Sequence, residues 1–132
     1  MVIFVDTSAL LAIVNPDDEF HLAAKQQWFS LIENQEILLS NNYVILESLS
    51  LIQRRQGMQK VSILHTEILP FIQYAWVDEE QHESALKTFL AANRRNLSLV
   101  DCSSFETMRR LGIKTVFTFD EHFRELGFNV IP

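Results

Sequence analysis

The sequence predicts an α/β fold in which helices cover both faces of a central, mainly parallel sheet. Short apolar or β-branched segments alternate along the chain with longer segments of helical spacing, which is the pattern of sheets built from strand-helix-strand units. No Asn-Gly or Asp-Gly pair, the usual signal of a tight hairpin, joins two strand-like segments. The length of 132 residues fits one folded unit. We therefore expect a single domain spanning residues 1–132.

Five segments have the composition of strands. The first, residues 1–5, is almost wholly apolar, as expected of a strand covered on both faces of a parallel sheet. The fourth, residues 114–119, is rich in β-branched and aromatic residues. The remaining three are residues 37–40, 74–77 and 128–131.

Seven segments have helical spacing or the residues that begin and end helices. Gly57 and Gly112 stand where two helices should end, and Pro70 should end another. Asp78 can cap the helix that follows it. The predicted helices are residues 7–14, 20–34, 43–56, 60–69, 79–93, 98–111 and 121–126.

The net charge of -6 argues at first against a polyanionic partner. The distribution of charge weakens that objection, because acids gathered in one site would not form a repulsive outer surface. Basic residues are also concentrated within residues 94–114, where the sequence contains Arg94, Arg95, Arg109, Arg110 and Lys114. The four arginines are candidates for contacts with phosphate groups, although arginines solvated on helix faces would give the same pattern.

The sequence shows no membrane or secretory signal. The longest apolar run, residues 9–14, has six residues, whereas a membrane span needs roughly 18. No basic residue precedes the first apolar stretch, as a signal peptide would require. Cys102 is the only cysteine, so neither a disulfide nor a cysteine zinc site is expected. We expect a cytoplasmic protein with no membrane partner.

Two aspartates come directly after predicted strands. Asp6 follows the first strand and Asp120 follows the fourth. In parallel sheets, ligands bind beyond the carboxyl ends of the strands, so both carboxylates are candidates for a binding site. Both could instead cap the helices that follow, and for Asp120 a capping box of Thr118 with Glu121 is the more direct interpretation.

Two further acids lie on predicted helices. Glu47 has no basic residue three or four positions away on a largely apolar helix face. Its carboxylate must therefore find a distant salt-bridge partner, bind a cation or take up a proton. Asp101 stands three residues after Ser98, which is the spacing of a capping box, and the dipole of the same helix end also favours an ionised ligand.

Four carboxylates at one sheet edge would be unfavourable without a cation, because two charges about 4 Å apart repel by roughly 4 kcal/mol at an effective dielectric near 20. Oxygen ligands without clustered histidine or cysteine indicate Mg²⁺ or Mn²⁺ rather than zinc. The four histidines are scattered and share no ligand spacing, so we interpret them as surface or packing residues, although His122, two residues after Asp120, could face the same edge of the sheet. The four acids are thus predicted to form a divalent-cation site of the kind that activates water at a phosphodiester.

The same acids stand in four short motifs whose order and spacing match a known family. The opening motif is Val5-Asp6-Thr7-Ser8-Ala9-Leu10, and Glu47 stands as the lone helical acid. The third motif is Leu97-Ser98-Leu99-Val100-Asp101, and the last is Thr118-Phe119-Asp120. Together they resemble the PIN domain family and, within it, the small VapC-type toxins, over the whole chain.

The resemblance implies a three-layer α/β/α fold around a five-stranded sheet in the order 3-2-1-4-5, Mg²⁺ or Mn²⁺ bound by the acids, and hydrolytic cleavage of RNA. Asp6 and Asp101 would be the chief metal ligands, and the other two acids would complete the site directly or through water. Ser8 and Thr118 would orient carboxylates or water. The expected partners are RNA, a second copy in a homodimer, and a small antitoxin whose tail enters the active-site groove.

Three alternatives remain open. The fourth acid could be Glu121, or an acid of the loop at residues 17–19, rather than Asp120. The chain could be a non-catalytic member of the same fold that binds RNA or protein. A phosphotransfer domain shares the α/β pattern, but a haloacid-dehalogenase-type phosphatase needs an aspartate where Ser8 stands, and a receiver domain needs a lysine after a late strand where Thr118 stands.

Overall fold

Five parallel strands form the centre of the protein, which a computed structural model describes over residues 1–132. They are β1 (Val2–Val5), β2 (Ile37–Asn41), β3 (Ile72–Ala75), β4 (Thr115–Phe117) and β5 (Asn129–Ile131). Their spatial order is β3-β2-β1-β4-β5, which confirms the expected order. The chain builds one half of the sheet outward from β1 and then returns to build the other. The topological switch point therefore lies between β1 and β4.

Helices on both faces of the sheet complete the three expected layers. They are α1 (Thr7–Val14), α2 (His21–Glu33), α3 (Asn42–Gln56), α4 (Met58–Ile63), α5 (Glu79–Ala92), α6 (Leu99–Leu111) and α7 (His122–Glu125). Helix α1 packs against α2 and α3, and α6 packs against α5 and α3. None of these helices combines the length and the apolar character that crossing a membrane requires.

The two strands at the switch point are the most deeply buried part of the sheet. Phe4 and Val5 of β1 and Val116 and Phe117 of β4 have no exposed surface. Burying a side chain of this size contributes roughly 1.5–3 kcal/mol, so these strands are firmly held. The backbone amide of Asp6 also donates to the Phe117 carbonyl at 3.0 Å. The residues that follow β1 and β4 therefore start from fixed positions.

Two predicted element boundaries are wrong. The third strand is Ile72–Ala75 rather than residues 74–77, because Ile72 is buried and pairs with Leu38 while Trp76 is 69% exposed. The helix expected over residues 60–69 is α4 followed by a π-helical turn, Leu64–Ile68, and a 3₁₀ turn, Leu69–Phe71. These turns change the helical pitch, and the apolar side chains at residues 64, 68 and 69 are all buried.

Candidate metal centre

Asp6 lies at the switch point, where β1 ends and α1 begins. Its side chain is 3% exposed, and its Oδ2 atom accepts hydrogen bonds from the hydroxyls of Ser8, at 2.9 Å, and Thr118, at 2.8 Å. The Ser8 amide lies 3.4 Å from the same oxygen, so Asp6 also caps α1. All of these bonds use Oδ2. Oδ1 carries no hydrogen bond and is free to face a ligand.

Two backbone amides orient the hydroxyls that hold Asp6. The Phe119 amide donates to Ser8 Oγ at 2.9 Å, and the Asp120 amide donates to Thr118 Oγ1 at 3.0 Å. Because a hydroxyl has only one proton, an amide at its acceptor side leaves that proton for the carboxylate. The connection after β4 thereby holds Asp6 in place, and both residues with a predicted supporting role, Ser8 and Thr118, contact it directly.

Asp101 lies in the first turn of α6 and makes the predicted capping box. Its Oδ2 atom accepts from the Ser98 amide at 3.0 Å, and the Asp101 amide donates to Ser98 Oγ at 3.0 Å. Oδ1 is again without a hydrogen bond. Capping and cation binding therefore do not compete at this residue, because the carboxylate can use a different oxygen for each.

Asp120 follows β4, and the His122 side chain lies between Asp120 and Asp101. Asp120 Oδ1 accepts from the His122 amide at 2.9 Å. The His122 Nδ1 atom lies 2.9 Å from that oxygen and 3.7 Å from Asp101 Oδ2. Nδ1 is buried, and its direction of approach is not that of a hydrogen bond. One ligand atom from each of the three residues falls within 4.8 Å of the others, a spacing that suits a shared ion.

His122 therefore faces the same edge of the sheet as Asp120, which was the alternative to a surface position. Its imidazole is only 12% exposed and lies between two acids. The one signal in the sequence was its position two residues after an acid at a strand end. A short turn there folds the side chain back over that acid, a geometry that ligand spacing along the chain does not reveal.

Glu47 lies on α3, which packs against α1, and neither Glu47 nor Asp6 belongs to the group of three residues whose ligand atoms lie within 4.8 Å of one another. Burial raises the pKa of this half-buried carboxyl, the Thr7 hydroxyl lowers it, and the negative charge of Asp6 raises it again. Arg55 also lowers the pKa of Glu47, from two helical turns away. The Thr7 hydroxyl is buried and makes no hydrogen bond of ordinary geometry. Glu47 is thus near enough to Asp6 for the two charges to interact.

The electrostatics of the centre oppose ionisation. Burial, together with the charges of Asp101 and Asp120, raises the pKa of Asp6 to about 6, although the hydrogen bonds of Thr118 and Ser8 lower it. Burial likewise raises the pKa of Asp101, with the charge of Asp120 acting in the same direction. A bound cation would favour the ionised form of carboxyl groups whose pKa is raised by burial and by neighbouring negative charge. The donor set, with its free oxygens and a buried nitrogen without a hydrogen bond, fits a divalent ion.

Two of the alternative fourth acids have hydrogen-bond partners of their own. Glu121 is exposed and forms two 2.7 Å hydrogen bonds with Arg124. Asp18 caps a turn by accepting from the Phe20 amide at 2.8 Å. The capping box considered for Thr118 with Glu121 is wrong, since the Thr118 hydroxyl donates to Asp6. Asp120 is the acid after β4 that faces the other carboxylates.

The four candidate arginines are not gathered at the acids. Arg109 and Arg110 lie at the C-terminal end of α6, about 12 Å along the helix axis from Asp101. Arg110 pairs with Glu106 at 2.6 Å, and Arg109 lies over the Phe128 ring. Arg94 and Arg95 are exposed in the connection before α6, with Arg94 3.5 Å from an acid of α7, Glu125. Contact of these arginines with RNA stays a prediction.

Known proteins share both the sequence pattern and the fold. The model of the PIN domain matches residues 3–129. The chain is 32% identical over 127 residues to the 23S rRNA-specific endonuclease VapC20 of Mycobacterium tuberculosis, covering 96% of this chain and 95% of that protein. The crystal structure of VapC20, described as a Sarcin-Ricin loop cleaving toxin, superposes with a TM-score of 0.86 at 29% identity over all of both chains.

Two more distant structures share the fold. FitAcB from Neisseria gonorrhoeae matches with a TM-score of 0.71 at 16% identity, covering 100% of this chain and 97% of that one. VapBC2 from Rickettsia felis, bound to a DNA fragment from its promoter, matches with a TM-score of 0.72 at 13% identity, covering 98% and 97%. The motifs around the acids, the sheet order and the match over residues 3–129 agree, and this chain belongs to the PIN domain family.

Proposed function

We propose that this chain is an endoribonuclease that depends on Mg²⁺ or Mn²⁺ held by Asp6, Glu47, Asp101 and Asp120. The observation that carries the proposal is the group formed by Asp101, Asp120 and His122, whose ligand atoms lie within 4.8 Å of one another, together with the buried Asp6, whose pKa the charges of Asp101 and Asp120 help to raise to about 6. The negative charge of Asp6 in turn raises the pKa of Glu47 on α3. The relationship to VapC20, which is named a 23S rRNA-specific endonuclease, supports RNA as the substrate.

The residues of the centre have distinct roles in this proposal. A bound divalent ion would polarise the phosphodiester and lower the pKa of a water molecule. Asp6 and Asp101 would hold the ion through the oxygens that carry no hydrogen bonds, while Ser8 and Thr118 keep the Asp6 carboxylate from rotating. Glu47 has a raised pKa and is half-buried, so it is suited to accept a proton from the attacking water.

His122 distinguishes the two candidate ions. Its buried Nδ1 atom lies beside Asp101 and Asp120, so an ion shared by those acids would be within reach of a nitrogen ligand. Mg²⁺ is bound almost wholly through oxygen, whereas transition-metal ions accept imidazole readily. We therefore expect Mn²⁺ to support cleavage at lower concentration than Mg²⁺.

The biological setting is proposed on the same relationship. VapC20 is described as a toxin, and a nuclease toxin must be neutralised in the cell that makes it. We propose that this chain is the toxin of a toxin-antitoxin pair, a single PIN domain that acts in the cytoplasm as a homodimer, with a small antitoxin as its partner. Ribosomal RNA of the large subunit is the first substrate to test.

The proposal is tested by incubating RNA containing the 23S sequence with the wild-type chain and with Asp6→Asn, in Mg²⁺, Mn²⁺ or EDTA. New 5′ ends should appear with the wild type and a divalent ion, and be absent with EDTA or the variant. Equal cleavage by both proteins would indicate a contaminant. RNA that the wild type binds but leaves intact, over the whole range of ion concentrations, would instead favour the non-catalytic module.

A further inference from the structure

A shallow groove opens beside the acidic centre, and two stacked phenylalanines form part of its wall. The rings of Phe20 and Phe119 have centroids 4.6 Å apart and an interplanar angle of 7°. Phe20 precedes α2 and is 40% exposed, so part of its ring surface is open to solvent. The residues that line the groove are Ser8, Leu11, Asp18, Glu19, Phe20 and Phe119.

The groove is joined to the metal centre by covalent and hydrogen bonds. Phe119 lies between Thr118 and Asp120, and its amide donates to Ser8 Oγ at 2.9 Å. Ser8 in turn donates to Asp6 at 2.9 Å. One residue, Ser8, therefore belongs both to the groove and to the support of the metal ligand. A molecule in the groove would lie beside whatever the ion holds.

The charges of the groove indicate which part of an RNA could enter it. Glu19 is exposed and Asp18 lines the same wall, so a phosphate would meet like charge there. A nucleobase is uncharged, offers a flat face to an aromatic ring, and carries N–H groups that carboxylates accept. Phosphate at the ion and base in the groove is the arrangement that both sets of charges favour.

We propose that the Phe20–Phe119 pair is a stacking platform for an unpaired nucleobase next to the cleaved phosphodiester. The inference rests on the proposed ribonuclease function and adds to it a determinant of substrate position. It also requires single-stranded or looped RNA, because a base inside a duplex has no free face. Removing an aromatic ring that stacks on a base weakens binding by about tenfold or more.

The test compares Phe20→Leu, Phe20→Trp and Phe29→Ala with the wild type in kcat/KM for cleavage of one RNA loop. Leucine keeps an apolar side chain without an aromatic face, tryptophan keeps the face, and Phe29 is a 57% exposed phenylalanine of α2 away from the groove. We expect a loss of about tenfold for Phe20→Leu and near wild-type values for the other two. Removing one base beside the cut should slow the wild type and abolish its advantage over Phe20→Leu.

Equal kcat/KM for Phe20→Leu and the wild type would overturn the platform but not the proposed ribonuclease function. A protein partner would then be the remaining candidate to occupy the groove. A loss that persists undiminished in every abasic RNA would also overturn it, because the ring would be acting on the fold. If the wild type does not cleave, the proposed function fails separately. In that case, binding affinity replaces kcat/KM as the measurement for the wild type and the three variants. Weaker binding of the intact RNA by Phe20→Leu, by about tenfold, would support the platform, and equal binding would overturn it.

Discussion

Two groups of acids in this molecule look alike in composition and differ in their surroundings. Four of them, Asp78, Glu79, Glu80 and Glu83, fall within six residues at the start of α5. All four are exposed, and they line a groove together with Lys87 and Arg110. The acidic centre draws its four carboxylates from residues as far apart as 6 and 120, and all are at least partly buried.

The difference shows that density of acids along the sequence does not make a cation site. Exposed carboxylates are solvated and screened, so neighbours of like charge cost little and no ion is needed. The α5 acids also have ordinary partners, since Asp78 caps the helix and Glu80 lies 3.7 Å from Arg110. Asp6 and Asp101 have raised pKa values because water is displaced from them, and a cation is the partner that remains.

The largest expected effect is on the rate of RNA cleavage, which should fall when an acid of the centre is replaced and stay unchanged when an α5 acid is replaced. Asp101→Asn should reduce divalent-ion-dependent RNA cleavage by at least about a hundredfold, since losing a ligand should exceed the tenfold to hundredfold effect of losing a residue that supports one. Asparagine can still accept from the Ser98 amide, so the cap of α6 is kept. The matched variant in the other group, Glu80→Gln, should cleave at the wild-type rate. Similar losses in both variants would remove the distinction between the two groups.

A smaller effect is expected from the hydroxyl that positions Asp6. Thr118→Val keeps the shape of the side chain but removes the 2.8 Å hydrogen bond, while Thr118→Ser keeps the hydroxyl. Mn²⁺ affinity, measured by titration calorimetry, should fall by about tenfold to a hundredfold in the valine variant and remain close to wild type in the serine variant. Unchanged affinity in both would mean that the carboxylate is held without Thr118.

The pKa of Asp6 predicts how stability depends on pH when no divalent ion is present. The value of about 6 exceeds the ordinary 3.8, so the native chain holds this proton more tightly than the unfolded chain. The resulting stabilisation is fully present below about pH 3.8 and is lost as the pH rises through about 6. The shift corresponds to at most about 3 kcal/mol.

Asp6→Asn removes this dependence because asparagine does not ionise. In EDTA, urea unfolding should show the variant more stable than the wild type at pH 8, by up to about 3 kcal/mol, with the difference shrinking toward pH 4. Saturating Mn²⁺ should reverse the order by stabilising only the wild type. A difference that stays constant from pH 4 to pH 8 would show that Asp6 does not titrate in this range.

The smallest effect belongs to the α5 acids. Glu83→Gln should change the free energy of unfolding by no more than about 0.5 kcal/mol, since Glu83 is exposed and has no ion pair within 4.0 Å. The change should shrink further in 0.5 M salt because screening acts on exposed charges. A change above about 1 kcal/mol that persists in 0.5 M salt would mean that the α5 acids interact as strongly as the buried acids of the centre do.

Much of the fold could be predicted from the sequence because β1 and β4 are buried on both faces and therefore read as apolar runs. The third strand was misplaced for the opposite reason. It lies at an edge, where Gln73 and Tyr74 are exposed, so burial leaves little pattern in its sequence. The helix expected over residues 60–69 was misjudged because a change of helical pitch preserves apolar spacing well enough to resemble one continuous helix.

The candidate site was predictable to the extent that each acid sits at a recognisable local position. Asp6 after a strand and Asp101 in a capping box are visible in the sequence, and in the folded chain the charge of Asp101 acts on the carboxyl group of Asp6. The sequence places His122 two residues after Asp120 but does not show its approach to Asp101, which joins residues 21 positions apart through a turn. The stacking of Phe20 on Phe119 was missed for the same reason, since it brings together residues 99 positions apart.

Mn²⁺ binding followed by electron paramagnetic resonance tests most directly whether the acids of the centre hold a divalent ion. The wild type should bind Mn²⁺ saturably, while Asp6→Asn, Asp101→Asn and Glu47→Gln should each lose at least about tenfold in affinity, and Glu80→Gln should lose none. Equal Mn²⁺ binding by the wild type and by Asp6→Asn combined with Asp101→Asn would contradict the account.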